Sequence, residues 1–476
     1  MRLSITALAL LIALAAPPAA AFTAACGAPV AAADGWEVER DPAMAGFHPH
    51  AICEVVQTFV ESSRNLHGLV VERQGRLVAE AYRDGSDRST YSVWASRRHF
   101  DSDALHDIRS ITKSIVALLW GIAEAEGSAP SVTTPVLDLL PALADLRSDG
   151  RDHITVADLL CMRSGLRWDE SGGYGRWAND EKGLLWRADR ARYVLDRPLA
   201  ESPGRQFNYN GGLTAVLGLL LEERTGMDLR TYARLKLFEP LGIRTWEWVG
   251  DLRGRPRAYT GLRLTPRDLA RLGRLVLDEG RWKGRQLVSA EWLRRMLAPC
   301  PGSGDFGYHW WSGTVWVDGK QLAWKGALGN GGQRLFLVPE LDLVVVTTAG
   351  EYDDSTVGRA QQYLLQQVVA STREHGPPMA PASLERVPAA SPVEKRATLR
   401  SITREDGGKR VYVHLKVALH ANLPFTTLRF YVRDPALLSS LQKGATVKFR
   451  AERIAGENTL VSIRAVPPCV RFQPCD

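Results

Sequence analysis

A serine and a lysine stand three positions apart in the segment HDIRSITKSIVALLWGIAEAEG, which begins at His106. The residues after Ser110 are apolar enough to predict one buried helix, and residues three apart on a helix share a face. A serine becomes a nucleophile when a neighbouring base takes its proton, and an amine can be that base if burial and nearby positive charge keep it neutral. Backbone N–H groups at a helix start also stabilise an oxyanion. The spacing therefore predicts acyl transfer, with Ser110 as nucleophile and Lys113 as base.

The tetrapeptide Ser-x-x-Lys needs support from its context, because it arises by chance about once in a few hundred residues. A second copy, Ser440 to Lys443, ends a short predicted helix beside Gly444 and is interpreted as a solvated surface pair. No other catalytic signature competes, since Gly-x-Ser-x-Gly and His-Glu-x-x-His are absent from the sequence. The glycine-rich CPGSGDFG lacks the lysine and the strand–helix setting of a phosphate loop, and is interpreted as a turn.

The residues around Ser110 resemble the serine β-lactamase and DD-peptidase superfamily, in particular its class C-like branch with the 6-aminohexanoate-dimer hydrolases and related esterases. The resemblance covers about residues 68–370. Its motifs follow in the family's order: DIRSITKSIVALLWGIA, ITVADLLCMRSGLRWDE, ESPGRQFNYNGG, LKLFEPLGI, GLRLTPRDLARLGRLVLDEG and FGYHWW. Many matches in one order make this resemblance specific.

The resemblance implies roles for three residues. Ser110 would be the acylated nucleophile and Lys113 its base. Tyr209, in FNYNGG, would shuttle a proton between the nucleophile, the lysine and the leaving group. Outside such a motif, a lone tyrosine is more often a packed ring with a satisfied hydroxyl.

The resemblance also implies an oxyanion hole and a close approach to substrate. The backbone N–H of Ala327 would pair with that of Ser110 to hold the oxyanion. The run GNGGQ is shared with the 6-aminohexanoate-dimer hydrolase branch, and its Gly329 and Gly332 would let the backbone approach the substrate. A glycine turn between strands is an equally open interpretation.

Two positions depart from the family pattern. Many relatives read Tyr-x-Asn in the second motif, whereas this chain has Gly211 at the asparagine position and Asn210 one residue early. The third motif, Lys-Thr-Gly or a variant, falls on Trp324-Lys325-Gly326, which moves the lysine to the middle position. Successive strand residues point to opposite faces, so Lys325 can look away from the cleft. Asn210 and Lys325 remain substrate-binding candidates, but the departures favour an esterase or small-amide hydrolase over a β-lactamase or peptidase.

The C-terminal segment LHANLPFTTLRFYVRDPALLSSLQKGATVKFRAERI resembles small periplasmic copper/silver-binding efflux proteins. In the family pattern Trp-Pro-x-Met-Thr-Met, the tryptophan and both methionines are replaced here by Leu423, Thr426 and Leu428. Soft thioether ligands select Cu(I), so their loss argues against metal binding. His414 and His420 are expected to be exposed, and the unit to serve docking or structure, with a possible protein partner.

The N-terminus predicts export. MRLSITALALLIALAAPPAAAFTA has an early arginine, an apolar run and a small-residue end at Ala21, as a cleaved signal peptide does. A retained anchor and a lipoprotein at Cys26 are the alternatives, and no later segment is long and apolar enough to span a bilayer. Six cysteines then suggest disulfides, for which Cys26–Cys53, Cys161–Cys300 and Cys469–Cys475 are the pairs considered.

Composition narrows the possible partners. The formal charge of +7 over 476 residues is modest and its arginines look scattered, which favours a solvated surface over a nucleic-acid face. No Cys-x-x-Cys and no zinc-type cysteine–histidine spacing occur, so neither a metal nor a cofactor is expected. A small-molecule ester or amide remains as the expected partner.

The pattern of elements predicts an α/β fold. Strand signals on both sides of a helical middle predict a DD-peptidase/β-lactamase-like antiparallel sheet flanked by helices, with an inserted helical region. Alternating strands after a Pro/Ala-rich stretch predict a small C-terminal OB-like β-barrel. The predicted units are a signal peptide (1–21), a hydrolase domain (22–375), a linker (376–396), the barrel (397–466) and a cysteine-containing tail (467–476).

Three functions were weighed from these patterns. The favoured one is a periplasmic or secreted serine hydrolase that forms an acyl-enzyme. A non-catalytic cell-envelope binding protein that uses the same cleft is the second, motivated by the replaced asparagine and shifted lysine but opposed by the complete set of Ser110, Lys113 and Tyr209. Metal handling by the barrel is the third, and the replaced methionines oppose it.

Overall fold

The computed structural model describes residues 26–88, 95–170, 179–352, 354, 356–373, 395–405, 410–417, 426–439, 441–454 and 457–466. The predicted signal peptide, the cysteine-containing tail with Cys469 and Cys475, and nearly all of the predicted linker lie outside the described residues.

Fourteen strands precede residue 374. They are β1 (Glu37–Val38), β2 (Leu66–Arg73), β3 (Arg76–Tyr82), β4 (Gly85–Asp87), β5 (Ser96–Arg98), β6 (His106–Asp107), β7 (Glu247–Trp248), β8 (Leu262–Leu264), β9 (Arg281–Trp282), β10 (Arg285–Gln286), β11 (Trp311–Val317), β12 (Lys320–Gly329), β13 (Gln333–Val338) and β14 (Leu343–Ala349). The remaining five are β15 (Lys395–Glu405), β16 (Arg410–Val417), β17 (Thr426–Val432), β18 (Thr446–Ile454) and β19 (Glu457–Ala465).

Helices fill the middle of the chain, as expected. The α-helices are α1 (Pro49–Glu61), α2 (Ile111–Ala125), α3 (Val136–Leu139), α4 (Val156–Leu160), α5 (Arg190–Leu195), α6 (Gly211–Thr225), α7 (Leu229–Ala233), α8 (Glu239–Leu241), α9 (Pro266–Leu277), α10 (Ala290–Leu297) and α11 (Val357–Ala370). A π-helical turn, Arg234–Phe238, joins α7 to α8, and 3₁₀ turns occupy Pro141–Leu146, Arg151–His153, Asp180–Leu185, Pro339–Leu341 and Pro435–Leu438. Among the described residues, no helix has the length and apolar character needed to cross a membrane.

Seven strands form one sheet in the order β1-β3-β2-β14-β13-β12-β11, so strands from opposite ends of the domain pair at its centre. All neighbours are antiparallel except β1 and β3. The predicted hairpin is confirmed: Gln74 and Gly75 join β2 to β3 with φ of 53° and 82°, as a two-residue turn between twisted strands requires. The antiparallel sheet expected from the sequence is therefore present.

The sheet separates two hydrophobic cores. One lies under α1 and α11, and the other lies under the helical region that includes α2, α6 and α9. Local signals placed these helices correctly. Thr265 caps α9 by accepting a hydrogen bond from the Asp268 N–H, Pro266 occupies its first turn, and Gly226 ends α6 with a φ of 67°.

Two disulfides tie distant segments together. Cys26 is bonded to Cys53 of α1, and Cys161, directly after α4, is bonded to Cys300, shortly after α10. Two of the three pairings considered from the sequence are thus confirmed, and the third, Cys469–Cys475, lies outside the described residues. The second bridge closes the helical region that supplies most of the candidate site.

The last five strands form a closed barrel in the order β15-β16-β17-β19-β18, with β17 and β19 parallel. Val411, Val413 and Leu415 are buried in its core, as their alternation predicts. The predicted short helix is a 3₁₀ turn whose start is capped by Asp434. The small C-terminal barrel expected from the sequence is confirmed.

Candidate active site

Ser110 is the partly accessible N-cap residue of a helix that is otherwise largely buried. Its side chain is partly accessible, whereas every residue of α2 from Ile111 to Ala123 is buried. The residue before it, Arg109, has a left-handed φ of 53°, and its guanidinium lies 4.5 Å from the ring centroid of Tyr352. The backbone therefore turns sharply at Arg109. The buried residues of α2 that follow Ser110 hold the serine in place.

Lys113 lies about one helical turn after Ser110, and its side chain points back toward the serine hydroxyl. Its ammonium donates to Ser110 Oγ at 3.2 Å and to the carbonyl oxygen of Tyr259 at 2.7 Å. The lysine side chain is only 2% exposed and lies 3.9 Å from Glu181 Oε2. A buried, hydrogen-bonded amine thus touches the candidate nucleophile.

The charge around Lys113 differs from the sequence-based expectation. Burial acts to lower the pKa of this amine, but the neighbouring Tyr209, Glu181 and Glu170 outweigh burial and raise it. The expected positive neighbours that would keep the amine neutral are replaced by acidic ones. The site therefore favours the ammonium form, and its proton has to move before the amine can act as a base.

Tyr209 completes a triangle with the serine and the lysine. It lies directly before α6, with the Lys113 ammonium 5.0 Å from its ring centroid, and its hydroxyl interacts electrostatically with Lys113 and Ser110. Burial raises the pKa of the phenol, although the nearby Lys113 charge opposes that shift. A neutral phenol in contact with both groups is placed to relay a proton between them.

Two buried carboxyl groups stand behind the lysine. Glu170 accepts hydrogen bonds from Trp168 Nε1 and from the Gly211 N–H, both at 2.5 Å. Burial, reinforced by the charge of Glu181, raises the pKa of Glu170 to about 8 against the opposing effect of Lys113. Glu170 therefore retains a proton at neutral pH, and the pair forms a proton-holding group beside the candidate base.

These carboxylates explain the glycine in the second motif. A Cβ atom on Gly211 would lie 2.8 Å from Glu181 Oε2 and 2.9 Å from Glu170 Oε1. The space in which relatives hold an asparagine side chain is thus filled by the two acids. Asn210 does not occupy that space, because it is fully buried as the N-cap of α6 and accepts from the Leu213 N–H at 3.3 Å.

Strand β12 approaches the nucleophile closely. Its pairing with β11 ends at Gly326, so the segment from Ala327 to Gly329 pairs only with β13. A Cβ atom on Gly329 would lie 2.3 Å from the carbonyl oxygen of Ile108, two residues before Ser110. Glycine at this position lets the strand meet the nucleophile segment, and Ala327 lies two residues earlier on the same strand.

Lys325 lies on the same face of β12 as Ala327, because the two residues are two positions apart. Its ammonium is bound elsewhere, donating to the carbonyl oxygen of Leu297 and to Ser312 Oγ, both at 2.9 Å. Burial lowers the pKa of this half-buried amine. The structure thus places Lys325 on the cleft face but engages its charge with the end of α10 and with β11.

Gly332 lies apart from the serine. It has a φ of 95°, and a Cβ atom there would meet Ala349 of β14 and Gln361 of α11 within 3 Å. The surroundings of this glycine are those of a tightly packed turn between strands. The second Ser-x-x-Lys pair is also distant in the chain: Lys443 is exposed, and Ser440 lies outside the described residues.

An aromatic wall borders Tyr209. The Tyr209 ring stacks on Trp311 with centroids 6.3 Å apart, and Trp311 packs against Phe306 at 4.7 Å and Phe207 at 6.1 Å. Phe207 and Trp311 are both partly exposed. We call Phe207, Phe306 and Trp311 the aromatic wall; it gives the cleft an apolar side next to the candidate proton donor.

Several members of this site were not predicted from the sequence. Glu170 closes the motif ITVADLLCMRSGLRWDE and Trp311 closes FGYHWW, so their place inside matched motifs was the available signal. Glu181 carries no comparable signal, because it reaches the site only through the packing of distant segments. The carbonyl of Tyr259 belongs to the backbone and has no sequence signature.

Comparisons with known proteins agree with this geometry. A sequence profile of the family described as Beta-lactamase matches residues 55–368. A 6-aminohexanoate-dimer hydrolase of Paenarthrobacter ureafaciens is 28% identical over 316 residues, which cover 60% of this chain and 73% of that protein.

Solved structures show the same fold at lower identity. A Bacillus anthracis protein assigned as a 6-aminohexanoate-dimer hydrolase superimposes with a TM-score of 0.52 and 19% identity, covering 65% of this chain and 79% of that one. SurE solved with D-Leu has a TM-score of 0.52 and 20% identity, covering 89% of this chain and 99% of its own. At these identities the likeness concerns the fold alone.

Proposed function

Because the chain belongs to the beta-lactamase family and is a serine hydrolase, we propose that it cleaves an ester or amide bond through an acyl-enzyme on Ser110. One observation carries the proposal: the buried Lys113 ammonium donates to Ser110 Oγ at 3.2 Å and lies 5.0 Å from the ring centroid of Tyr209. An activated nucleophile requires this contact between a hydroxyl, a base and a proton relay.

In the proposed reaction, Ser110 Oγ forms a bond to the carbonyl carbon of the substrate while its proton passes to the Lys113 amine. The C=O electron pair moves onto the oxygen, which accepts hydrogen bonds from the Ser110 and Ala327 N–H groups. When the tetrahedral intermediate collapses, Tyr209 gives its proton to the leaving group and recovers one from Lys113. Water then adds to the acyl group, releases the acid and returns the proton to Ser110.

The amine has to be neutral before the first step. Its acidic neighbours favour the ammonium, and the Glu181 carboxylate forms an ion pair with it at 3.9 Å. Glu170 shares that buried pocket and already holds a proton near neutral pH. In this proposal the two carboxyl groups set the protonation state of Lys113 and do not contact the substrate carbonyl.

The substrate class follows from the walls of the cleft. Lys325 is the cation at the third motif, and its ammonium is engaged by Leu297 and Ser312, so it is poorly placed to hold a substrate carboxylate. The aromatic wall beside Tyr209 favours an apolar group on the leaving-group side. An uncharged ester or small amide with an apolar leaving group therefore fits better than a β-lactam or an acidic peptide.

We also propose that the hydrolase works in the periplasm or outside the cell. The sequence of residues 1–21 has the layout of a cleaved signal peptide. The disulfides Cys26–Cys53 and Cys161–Cys300 support an oxidising compartment.

The proposal is tested by treating the mature protein with a fluorophosphonate and locating the label by mass spectrometry. Label is expected on Ser110, absent in Ser110→Ala, and slowed by about a hundredfold or more in Lys113→Ala and Tyr209→Phe. Ser440→Ala and Lys443→Ala supply a matched control, because they alter the second Ser-x-x-Lys pair and should leave the rate unchanged. A folded protein without label on Ser110 would overturn the hydrolase proposal in favour of a binding role for the cleft.

A further inference from the structure

The charge of this protein is concentrated in the barrel. Residues 395–466 contain 14 lysines and arginines and five aspartates and glutamates, a formal charge of +9, which leaves −2 for all other residues together. The arginines themselves are scattered along the chain, as expected, and the excess arises because few carboxylates accompany the basic residues of the barrel. A charge of this density on a unit of 72 residues produces a strong local positive potential, whatever the chain average.

The strand register places the basic residues on the outside of the barrel. Val411 and Val413 point into its core, so Arg410, Tyr412 and His414 lie on the outer face of β16. On β17 the buried Phe430 and Val432 alternate with Arg429 and Tyr431 on that same face. Exposed arginines continue onto the neighbouring parts of the barrel: Arg400, Arg404, Arg433 and Arg464.

Aromatic rings lie among these charges. Tyr412 and Tyr431 face each other across the strands with ring centroids 5.6 Å apart. The Arg410 guanidinium lies 5.6 Å and 5.3 Å from the two centroids, and that of Arg429 lies 3.5 Å from Tyr412 while it pairs with Glu405 at 2.8 Å. We call Arg410, Tyr412, Arg429, Tyr431 and Arg433 the barrel patch. It combines fixed positive charge with the partly exposed ring of Tyr431, whereas Tyr412 is buried beneath Arg429 and supports the patch from inside.

We propose that the barrel patch binds a linear anionic polysaccharide. Arginine matches carboxylate or sulfate groups along such a chain, and the partly exposed ring of Tyr431 offers apolar surface to a sugar ring between them. The exposed arginines extend around the barrel wall through β15, β17 and β19, which suits a flexible chain that wraps the barrel better than a flat membrane that meets one side. The disulfides and the predicted signal peptide favour a glycan over nucleic acid, since they indicate a compartment outside the cytosol.

This binding would act independently of the hydrolase chemistry. The barrel patch lies on β16, β17 and the residue after β17, whereas Ser110, Lys113 and Tyr209 belong to the domain that ends with α11. A polyanion-binding barrel would hold the enzyme in an acidic glycan layer and raise its local concentration there.

The experiment measures binding of the complete mature chain to polygalacturonate, a linear carboxylated polysaccharide, with neutral dextran in parallel. Binding is expected to polygalacturonate only, and to weaken as salt is raised from about 0.05 M to about 0.5 M. Arg410→Gln combined with Arg433→Gln should weaken that binding by about fivefold or more. Fluorophosphonate labelling of Ser110 should keep the wild-type rate, and a far-UV circular dichroism spectrum and melting curve that match wild type show that the substituted barrel is folded.

Arg244→Gln combined with Arg281→Gln is the matched control, since both arginines are exposed and lie outside the barrel. This variant loses the same charge and should bind as wild type does. The proposal would be overturned by no binding to polygalacturonate or by an equal loss in both double variants. Tighter binding to phosphatidylglycerol vesicles or to single-stranded oligothymidylate would overturn it in favour of a membrane or a nucleic acid.

Discussion

Gly211 and the acids beside it make the site differ from the family pattern at the scale of single residues. The position at which relatives use asparagine is vacated here, and Glu170 and Glu181 occupy its volume. An asparagine offers a neutral hydrogen bond to a substrate amide, whereas two acids beside a lysine exchange protons with it. The proposed chemistry of Ser110 would therefore take place with two acids beside the base, where the family pattern has a neutral asparagine.

The raised pKa of Glu170 predicts how the free energy of unfolding depends on pH. Its folded-state pKa of about 8 lies above its ordinary value of 4.5, so the folded protein binds this proton more tightly than the unfolded chain does. The stabilisation is complete below pH 4.5 and is lost as the pH rises through 8. Glu170→Gln keeps an oxygen acceptor for Trp168 and Gly211 but binds no proton. Between pH 5 and pH 8, the variant should therefore gain roughly 1–3 kcal/mol in unfolding free energy relative to wild type.

Urea unfolding at several pH values measures this difference. Glu223→Gln, at an exposed position of α6, serves as the control and should follow the wild-type curve. Parallel curves for wild type and Glu170→Gln would show that Glu170 holds no extra proton in the folded protein.

At the scale of elements, the site depends on how closely β12 meets the segment before α2. Ile108 is fixed there by the hydrogen bond from its N–H to the carbonyl oxygen of Leu262, at 3.1 Å. The contact with Gly329 is made by backbone atoms, which cannot rotate away as a flexible side chain can. The distance between Ser110 and the proposed oxyanion donor therefore depends on Gly329, which is not one of the proposed catalytic residues.

Gly329→Ala tests this contact. The added Cβ would meet the Ile108 carbonyl at 2.3 Å, so either β12 or the nucleophile segment must shift. Fluorophosphonate labelling of Ser110 should slow by about tenfold or more, because small displacements of reacting groups are costly. Gly358→Ala in α11 is the control, since its nearest neighbour is the far end of the Arg334 side chain at 3.3 Å. Equal labelling rates for Gly329→Ala and wild type would remove this element of the proposal.

At the scale of the whole molecule, the two described disulfides constrain very different lengths of chain. Cys161 and Cys300 are 139 residues apart, against 27 for Cys26 and Cys53. The loss of chain entropy in the unfolded state grows with this length, to about 5 kcal/mol for the long loop and about 3.5 kcal/mol for the short one. The longer bridge closes around Glu170, Glu181 and Tyr209.

Paired substitutions test the ranking of the two bridges. Cys161→Ala with Cys300→Ala should lower the unfolding free energy by about 1–2 kcal/mol more than Cys26→Ala with Cys53→Ala. Denaturant unfolding of both variants under oxidising conditions measures the difference. A larger loss from the shorter bridge would mean that native packing around Cys26, and not chain entropy, dominates.

The sequence alone determined the parts of this protein that depend on local signals. The turn at Gln74 and Gly75, the start of α9 at Thr265 and the end of α6 at Gly226 follow from backbone preferences that neighbouring residues impose. The spacing of Ser110 and Lys113 needs only helix periodicity to bring the two side chains together. The order of the motifs along the sequence also identified the family and the position of Tyr209 within it.

Only the tertiary structure decided which distant groups surround those residues. Glu181 reaches Lys113 from a segment 68 positions away in the chain, and Trp311 stacks on a tyrosine about a hundred positions before it. The engaged ammonium of Lys325 depends likewise on the end of α10. Such contacts are set by the packing of whole elements, in which long-range burial and charge outweigh local preference. Sequence thus determined the candidate reacting groups, and the fold decided the electrostatic surroundings in which they lie.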